Sequence, residues 1–322
     1  MSTAQRRDYY FDNLKFILIT LVVIGHTIEP LAHSGMTKFL YMLIYSFHMP
    51  LFVFVSGYFG KKCNHIKLLR NVAIPYIAFQ LVYFFFNRYA LGLDYTFSLF
   101  TPYWIMWYLL SLLIWQLVVP MFQFRYSIIV AILFGILVGY DNSVSYFFSL
   151  SRTIYFFPFF LIGYKFNKDW FFSLVPKQHQ LIISIIGMVF ISTIFYYYFD
   201  STDSRFLYGS YPYAALNLNT WYAGVYRVLL YAMTILISSF VLYIVPSIKT
   251  FFTTRGSRTL YVYLLHGFVI KAMIKCNIYT YFDNGYKKLS LVLIGVIIAF
   301  ILSSKFYGHI IKTDYTVRKL DN

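Results

Sequence analysis

Long apolar runs alternate with short polar connections along the whole chain. The runs reach roughly 17–25 residues, the length that an α-helix needs to cross a lipid bilayer. We count about ten of them, by that criterion, at 13–31, 39–60, 72–91, 103–122, 126–140, 150–166, 181–199, 221–245, 259–279 and 289–307. The pattern predicts an all-α fold, a polytopic integral membrane helical bundle with about ten transmembrane helices.

The connections between the runs contain no low-complexity tract and no flexible linker. We therefore expect a single transmembrane domain over 1–322, without an appended soluble domain. The first run follows Arg6 and Arg7 and so resembles a signal peptide. It has no small-residue cleavage site, and His26 and Glu29 stand where that site would be. We interpret it as a retained helix.

Composition and charge agree with a membrane protein. The chain is 60% hydrophobic and only 12% charged, whereas soluble domains are about a quarter charged. Its net charge is +16. With the N-terminus placed in the cytoplasm, most Lys and Arg residues fall in cytoplasmic segments, which predicts that both termini are cytoplasmic. The basic excess is then topological and does not indicate nucleic-acid binding. It would also attract anionic lipid or an anionic cytosolic ligand.

The sequence lacks the motifs of several common enzyme classes. There is no glycine-rich phosphate loop, no Gly-x-Ser-x-Gly elbow and no Cys/His pair at metal-ligand spacing. The chain has only 11 carboxylates, and its seven histidines are dispersed. A hydrolase with paired carboxylates and a metal-centred enzyme are therefore disfavoured, and we predict no metal site.

The first apolar run carries three ionisable residues on one helical stripe. Lys15 and His26 are eleven positions apart, which places them on the same face and roughly 16 Å apart along the axis. Glu29, the single glutamate of the chain, lies one turn after His26 and can orient its imidazole as a general base. The alternatives are a snorkelling anchor for Lys15, an imidazole satisfied by a neighbouring helix, and a helix-end cap for Glu29 before Pro30.

Other polar residues stand isolated in apolar surroundings, where such groups commonly face a cavity. His48 precedes a proline, which leaves backbone carbonyls free near it. Tyr263 and His266 are three positions apart and therefore share a helix face. Isolated arginines occur at predicted helix starts or cytoplasmic helix ends, namely Arg70, Arg152, Arg255 and Arg258. The predicted secondary cavity groups are His48, Arg152, Tyr263 and His266.

Two other segments have a structural and a functional interpretation. The pair Ser56-Gly57 permits close helix approach, which we take as its main role. The outer connection 200–220 is rich in Tyr, Asn, Ser and Asp, as are many sugar-binding surfaces. An interfacial aromatic belt explains the same composition and is the favoured interpretation.

At this point the sequence resembles a known family, the membrane acyltransferase-3 family. The segment "DNLKFILITLVVIGHTIEP" matches its Lys/Arg-x10-His first-helix signature, and "FHMPLFVFVSGYF", "LLRNVAIPY", "RTIYFFPFFLIGY" and "SRTLYVYLLH" follow in the expected order. The residues of the first two segments are similar to those of the fucose 4-O-acetylase and capsular polysaccharide O-acetyltransferase branch. The resemblance extends over nearly the whole chain.

The resemblance implies a bacterial plasma-membrane O-acyltransferase that moves an acetyl group from cytosolic acetyl-CoA, a substrate and not a bound cofactor, to a sugar hydroxyl. It implies a cell-surface, capsular or lipid-linked saccharide as acceptor, His26 as catalytic base and Lys15 on the CoA side. CoA phosphates need cations at the cytoplasmic mouth, where we expect Lys15, Arg70, Arg255 and Arg258. Arg152 is a candidate oxyanion stabiliser.

Two other classes of function remain open from the residues alone. A saccharide or lipid transporter or flippase would use the same ionisable residues as a proton relay, although no internal repeat accompanies them. A structural assembly factor would tolerate changes on the Lys15, His26 and Glu29 stripe. The sugar, the acyl length, the side of final transfer and the oligomeric state are not determined by the sequence.

Overall fold

The structure is a computed structural model that describes residues 8–61, 64–144, 147–198 and 203–305. Within these residues the regular structure is helical and contains no β-strand, as predicted. The helices are α1 (Tyr9–Ile28), α2 (Gly35–Tyr45), α3 (His48–Gly60), α4 (His65–Leu68), α5 (Ile74–Phe85), α6 (Trp107–Val118), α7 (Ser127–Leu137), α8 (Leu150–Lys165), α9 (Lys168–Ser173), α10 (Lys177–Tyr198), α11 (Ala223–Ile244), α12 (Thr259–Lys275) and α13 (Gly285–Leu302). Short 3-10 and π-helical turns extend several of them.

Among the described residues, eight helical segments are long and apolar enough to cross a membrane. They are Tyr9–Leu31, Gly35–Gly60, His65–Ala90, Trp104–Phe122, Phe147–Lys165, Lys177–Tyr198, Ala223–Ile244 and Gly285–Leu302. The predicted runs 126–140 and 259–279 coincide with the shorter helices α7 and α12. The polytopic helical bundle is therefore confirmed with eight candidate spans, and crossings by α7 and α12 stay predictions.

Some predictions fall outside the described residues. Both chain ends, with Arg6 and Arg7, lie there, and so do the last residues of the run 289–307. The first residues of the outer connection 200–220 also lie there. The cytoplasmic placement of the termini stays a prediction.

Helix α1 is the central helix of the bundle. It packs against α2, α3, α12 and α13 and against the 3-10 turn Thr253–Arg258. Because it is apolar on nearly all sides, it can be surrounded by other helices. The Asp8 carboxylate caps its first turn by accepting a hydrogen bond from the Tyr10 amide, and a 3-10 turn begins at Glu29, before Pro30. Because its neighbours and its two ends hold α1 in place, its polar residues stay at fixed positions along the bundle.

Helices α3 and α8 lie in very close contact. A Cβ atom added at Gly57 would stand 2.0 Å from the Phe160 carbonyl oxygen, and one at Gly163 would stand 1.9 Å from the Phe54 carbonyl oxygen. Only glycine permits this approach, which confirms the interpretation of Gly57. The two helices run in the same direction, since Lys61 after α3 donates to the Phe166 carbonyl after α8. The first residues of α3 and α8 therefore lie at the same end of the bundle.

Candidate active site

Two cavities lie at opposite ends of α1. The first, here called the His26 cavity, has a volume of about 270 Å³. It is lined by His26, Glu29, Tyr41, Tyr45, His48, Met49, Pro102, Trp104, Ile105, Trp107, Ser149, Arg152, Phe156, Leu207, Tyr208 and Tyr211. The second, the Lys15 cavity, has a volume of about 510 Å³. Its polar lining consists of Lys15, Ser56, Lys67, Asn71, Tyr108, Gln116, Ser257, Thr259 and Tyr263.

His26 and Glu29 are in direct contact, as their spacing predicts. The Nδ1 atom of His26 lies 2.8 Å from Oε2 of Glu29. Because a carboxylate accepts and does not donate, Nδ1 carries the hydrogen and Nε2 keeps a free lone pair. The hydroxyl of Tyr45, on α2, is 3.1 Å from the same Nδ1. This arrangement suits an imidazole that accepts a proton at Nε2.

Aromatic rings from distant segments surround the His26 imidazole. The Trp104 ring lies 4.7 Å from it, centroid to centroid, in an edge-on arrangement. The His266 ring lies 5.4 Å away and is inclined by only 28°. Trp104 adopts a positive φ of 27°, a strained value for a residue with a side chain. The imidazole is thus held by its neighbours as well as by Glu29.

Arg152 and His48 enter the His26 cavity from the first turns of α8 and α3. The Arg152 guanidinium lies 5.3 Å from the centroid of the Trp107 ring, and its Nη2 lies 3.3 Å from Oγ of Ser210. His48 donates from Nδ1 to the Ile44 carbonyl oxygen at 2.7 Å, which leaves its Nε2 as an acceptor. The parallel packing of α3 and α8 places this cation and this acceptor near His26.

The Lys15 cavity has a basic and hydroxyl-rich lining. The Lys15 ammonium pairs with the Asp12 carboxylate at 2.9 Å and lies over the Phe59 ring. Lys67 adds a second cation. The Tyr108 hydroxyl lies 2.5 Å from Oγ of Ser56. Tyr263 donates to the Ile105 carbonyl.

The wall between the two cavities is about one helical turn thick (~5 Å). On α3, Met49 lines the His26 cavity and Phe52 lines the Lys15 cavity. On α12, Tyr263 lines the Lys15 cavity, whereas His266 one turn later lies against His26. Tyr263 and His266 share a helix face, but Tyr263 lines the Lys15 cavity, whereas His266 lies against His26 in the wall and lines neither of the two cavities.

None of the three predicted CoA-binding arginines lines either cavity within the described residues. Arg255 donates to the Phe300 carbonyl and to the Ser303 hydroxyl, and Arg258 donates to the Ser303 carbonyl. Both arginines therefore cap the last turn of α13, where cations satisfy unpaired carbonyls. Arg70 lies on the exposed side of its π-helical turn, next to Asn71 of the Lys15 cavity.

Sequence reasoning missed Trp104, Trp107, Tyr208 and Tyr211 as cavity residues. Tyr208 and Tyr211 belong to the aromatic connection 200–220, whose composition had suggested a sugar surface. The Tyr208 hydroxyl lies 2.6 Å from that of Tyr41, and burial raises the pKa of Tyr208. A tryptophan in an apolar run has no such local signal, because its packing partner is distant in the chain.

Comparison with known proteins identifies the family of the chain. A family profile described as an acyltransferase domain, acyltransferase type 3, matches residues 8–307. Nodulation protein NolL of Mesorhizobium japonicum is 45% identical over 62 residues, 18% of this chain and 17% of that protein. Nodulation protein NolL of Sinorhizobium fredii is 30% identical over 129 residues, 34% of this chain and 35% of that protein.

The chain thus matches about a third or less of the length of these relatives. No solved structure matches it. The family match, in contrast, extends over nearly the whole chain and confirms the resemblance carried by the sequence motifs. The chain belongs to the acyltransferase-3 family, and it is a polytopic helical membrane protein.

Proposed function

We propose that the protein is a membrane O-acyltransferase that transfers an acetyl group from acetyl-CoA to a hydroxyl of a saccharide. The observation that carries this proposal is the 2.8 Å contact between His26 Nδ1 and Glu29 Oε2 inside a cavity. That cavity is separated by about one helical turn (~5 Å) from a second, basic cavity. A histidine base in the His26 cavity, next to the cations of the Lys15 cavity, suits a reaction with two different substrates.

In the proposed reaction His26 acts as the general base. Nε2 takes the proton of the sugar hydroxyl while the hydroxyl oxygen attacks the thioester carbonyl carbon. The new C–O bond gives a tetrahedral oxyanion, and the Arg152 guanidinium in the same cavity is the candidate group that stabilises it. When the intermediate collapses, the C–S bond breaks. The thiolate of CoA then receives the proton from Nε2 of His26, which restores the base.

The Lys15 cavity is the proposed donor site. Its volume and its two cations, Lys15 and Lys67, suit a long thioester with phosphates at one end. Arg70 lies beside this cavity and can contact a phosphate outside it. Arg255 and Arg258 instead donate hydrogen bonds to the Phe300 and Ser303 carbonyls at the end of α13. We therefore assign donor binding to Lys15 and Lys67, with Arg70 at the rim.

The His26 cavity is the proposed acceptor site. Its aromatic residues, among them Trp107, Tyr208 and Tyr211, offer rings on which the apolar faces of a pyranose can stack. The hydroxyl groups of the tyrosines, together with the Nε2 acceptor of His48, offer hydrogen-bond partners for sugar hydroxyls. A saccharide or a lipid-linked saccharide is therefore the proposed acceptor class.

The test is acetyl transfer in isolated membranes with labelled acetyl-CoA and the native surface saccharide. Wild type should label the saccharide, and His26→Ala at matched expression should not, because the hydroxyl then has no base. His33, an exposed histidine outside both cavities, supplies the control. His33→Ala should transfer normally. Near-normal transfer by His26→Ala would refute the assignment of the base.

The transporter alternative makes the opposite prediction in the same assay. A transporter needs no acetyl-CoA and leaves the saccharide chemically unchanged. Absence of label in wild type would therefore count against the acyltransferase proposal itself.

A further inference from the structure

His266 carries a buried nitrogen that has no hydrogen-bond partner in the part of the chain that the structure describes. Its Nδ1 lies 2.9 Å from the Val262 carbonyl oxygen. Since a carbonyl oxygen only accepts, Nδ1 carries the hydrogen and Nε2 is an acceptor with a free lone pair. This Nε2 is buried, and no described residue donates a hydrogen bond to it. Leaving a buried acceptor unpaired is unfavourable, so its presence points to a ligand that supplies the donor.

The position of His266 narrows the choice of ligand. One turn earlier on the same helix, Tyr263 lines the Lys15 cavity, and the His266 ring lies 5.4 Å from the His26 ring. His266 itself does not line the His26 cavity, where the saccharide is proposed to bind. His266 lies in the wall between the two cavities. A thioester that extends from the Lys15 cavity past Tyr263 to His26 would lie close to this side chain.

Thioesters of the pantetheine type carry an amide N–H donor two carbons from the sulfur. We propose that Nε2 of His266 accepts a hydrogen bond from this amide N–H of the acyl donor and so fixes the thioester beside His26. This inference rests on the proposed acyltransferase function and adds a donor-binding residue to it. The ligand class is a pantetheine-type acyl thioester, and the recognised group is the amide nearest the sulfur.

His48 provides a matched control on the saccharide side. Like His266, it donates from Nδ1 to the carbonyl four residues earlier in the chain, here that of Ile44 at 2.7 Å. Its Nε2 is therefore an acceptor as well, but His48 lines the His26 cavity. Changing His48 removes an equivalent imidazole without touching the proposed donor amide.

The experiment compares two donors with three proteins. One donor is acetyl-CoA, and the other is the same molecule with an ester oxygen in place of the N–H nearest the sulfur. Wild type, His266→Phe and His48→Phe are assayed in membranes for kcat/KM with each donor. Phenylalanine keeps an aromatic ring against His26 but has no lone pair.

Wild type should use the ester analogue about tenfold less well than acetyl-CoA, because one hydrogen bond to a buried acceptor is lost. His266→Phe should use both donors equally, at about the level of wild type with the analogue. His48→Phe should keep the wild-type preference for the amide, whatever its overall rate. Such coupling between one residue and one substrate atom is not produced by a purely structural role.

Two results would overturn the inference. One is equal use of both donors by wild type, and the other is an undiminished ester penalty in His266→Phe. If His266→Phe does not accumulate as folded protein, His266→Met, which also lacks the acceptor and adapts to buried sites, replaces it with the same expectations. Failure of wild type to transfer from acetyl-CoA would instead refute the proposed function.

Discussion

At the scale of single residues, the proposed chemistry depends on which nitrogen of His26 carries the hydrogen. Glu29 decides this, because its carboxylate lies 2.8 Å from Nδ1. In the proposed reaction it would also stabilise the imidazolium that forms when Nε2 takes a proton. Tyr45 approaches the same Nδ1 at 3.1 Å but carries no charge. Removing each group separately distinguishes the charge from the hydrogen bond.

We predict that Glu29→Gln lowers kcat about 100-fold, within the range of general-base catalysis. Glutamine keeps an oxygen for Nδ1–H but has no charge to stabilise the imidazolium. The KM for the saccharide should change little. Steady-state kinetics in membranes, with separate kcat and KM, measures this.

Tyr45→Phe is the comparison for Glu29→Gln. It removes a neutral hydroxyl near the same nitrogen and should lower kcat less than Glu29→Gln does. A larger loss for Tyr45→Phe, or an unchanged kcat for Glu29→Gln, would argue that Glu29 only ends the helix.

At the scale of elements, the site depends on the contact between α3 and α8. These helices carry His48 and Arg152 in their first turns, and their glycines allow the backbones to touch. The short distance between α3 and α8 determines where the Arg152 guanidinium lies relative to His26. The local sequence indicates that Gly57 permits such a contact, but it does not say which helix is the partner.

We predict that Gly57→Ala destabilises the protein by about 1–3 kcal/mol, the usual cost of overpacking. The added Cβ would stand 2.0 Å from the Phe160 carbonyl oxygen, so the two helices must separate. A lower melting temperature of the purified protein in detergent measures the effect, and transfer activity should fall with it.

Gly285→Ala serves as the control, because nothing lies within 4 Å of a Cβ added there. Alanine is otherwise the better helix former, so this variant should be as stable as wild type or slightly more stable. An equal loss of stability in both variants would contradict the importance of the α3–α8 contact.

At the scale of the whole molecule, the two cavities open at opposite ends of α1. Lys15 and Lys67 line the cavity at one end, and His26 and Arg152 line the cavity at the other end. The charge distribution of the sequence predicts that the Lys15 end is cytoplasmic. In the proposed reaction the donor and the saccharide approach from opposite sides, and the thioester end of the donor extends through the thin wall to His26.

Sealed vesicles of known orientation test this arrangement. Inverted vesicles with saccharide inside and labelled acetyl-CoA outside should acetylate the saccharide. Right-side-out vesicles with both substrates outside should not, until detergent opens them, because acetyl-CoA does not reach the Lys15 cavity. Equal labelling by intact vesicles of both orientations would contradict two-sided access.

The sequence by itself determined the helical membrane bundle and the position of His26 and Glu29 one turn apart on one helix, where they can meet. Both follow from short-range rules, namely the apolar length needed to cross a bilayer and the position of residues one turn apart on a helix. The motifs also indicated the family, which the match over 8–307 confirmed.

Only the tertiary structure decided which distant residues meet at His26 and which do not. It brought Trp104, Arg152 and His266 to His26 and its cavity. It directed Arg255 and Arg258 to the end of α13 instead. The physical reason is that a side chain's partners depend on how helices far apart in the chain pack together, and local hydrophobic periodicity does not specify that packing.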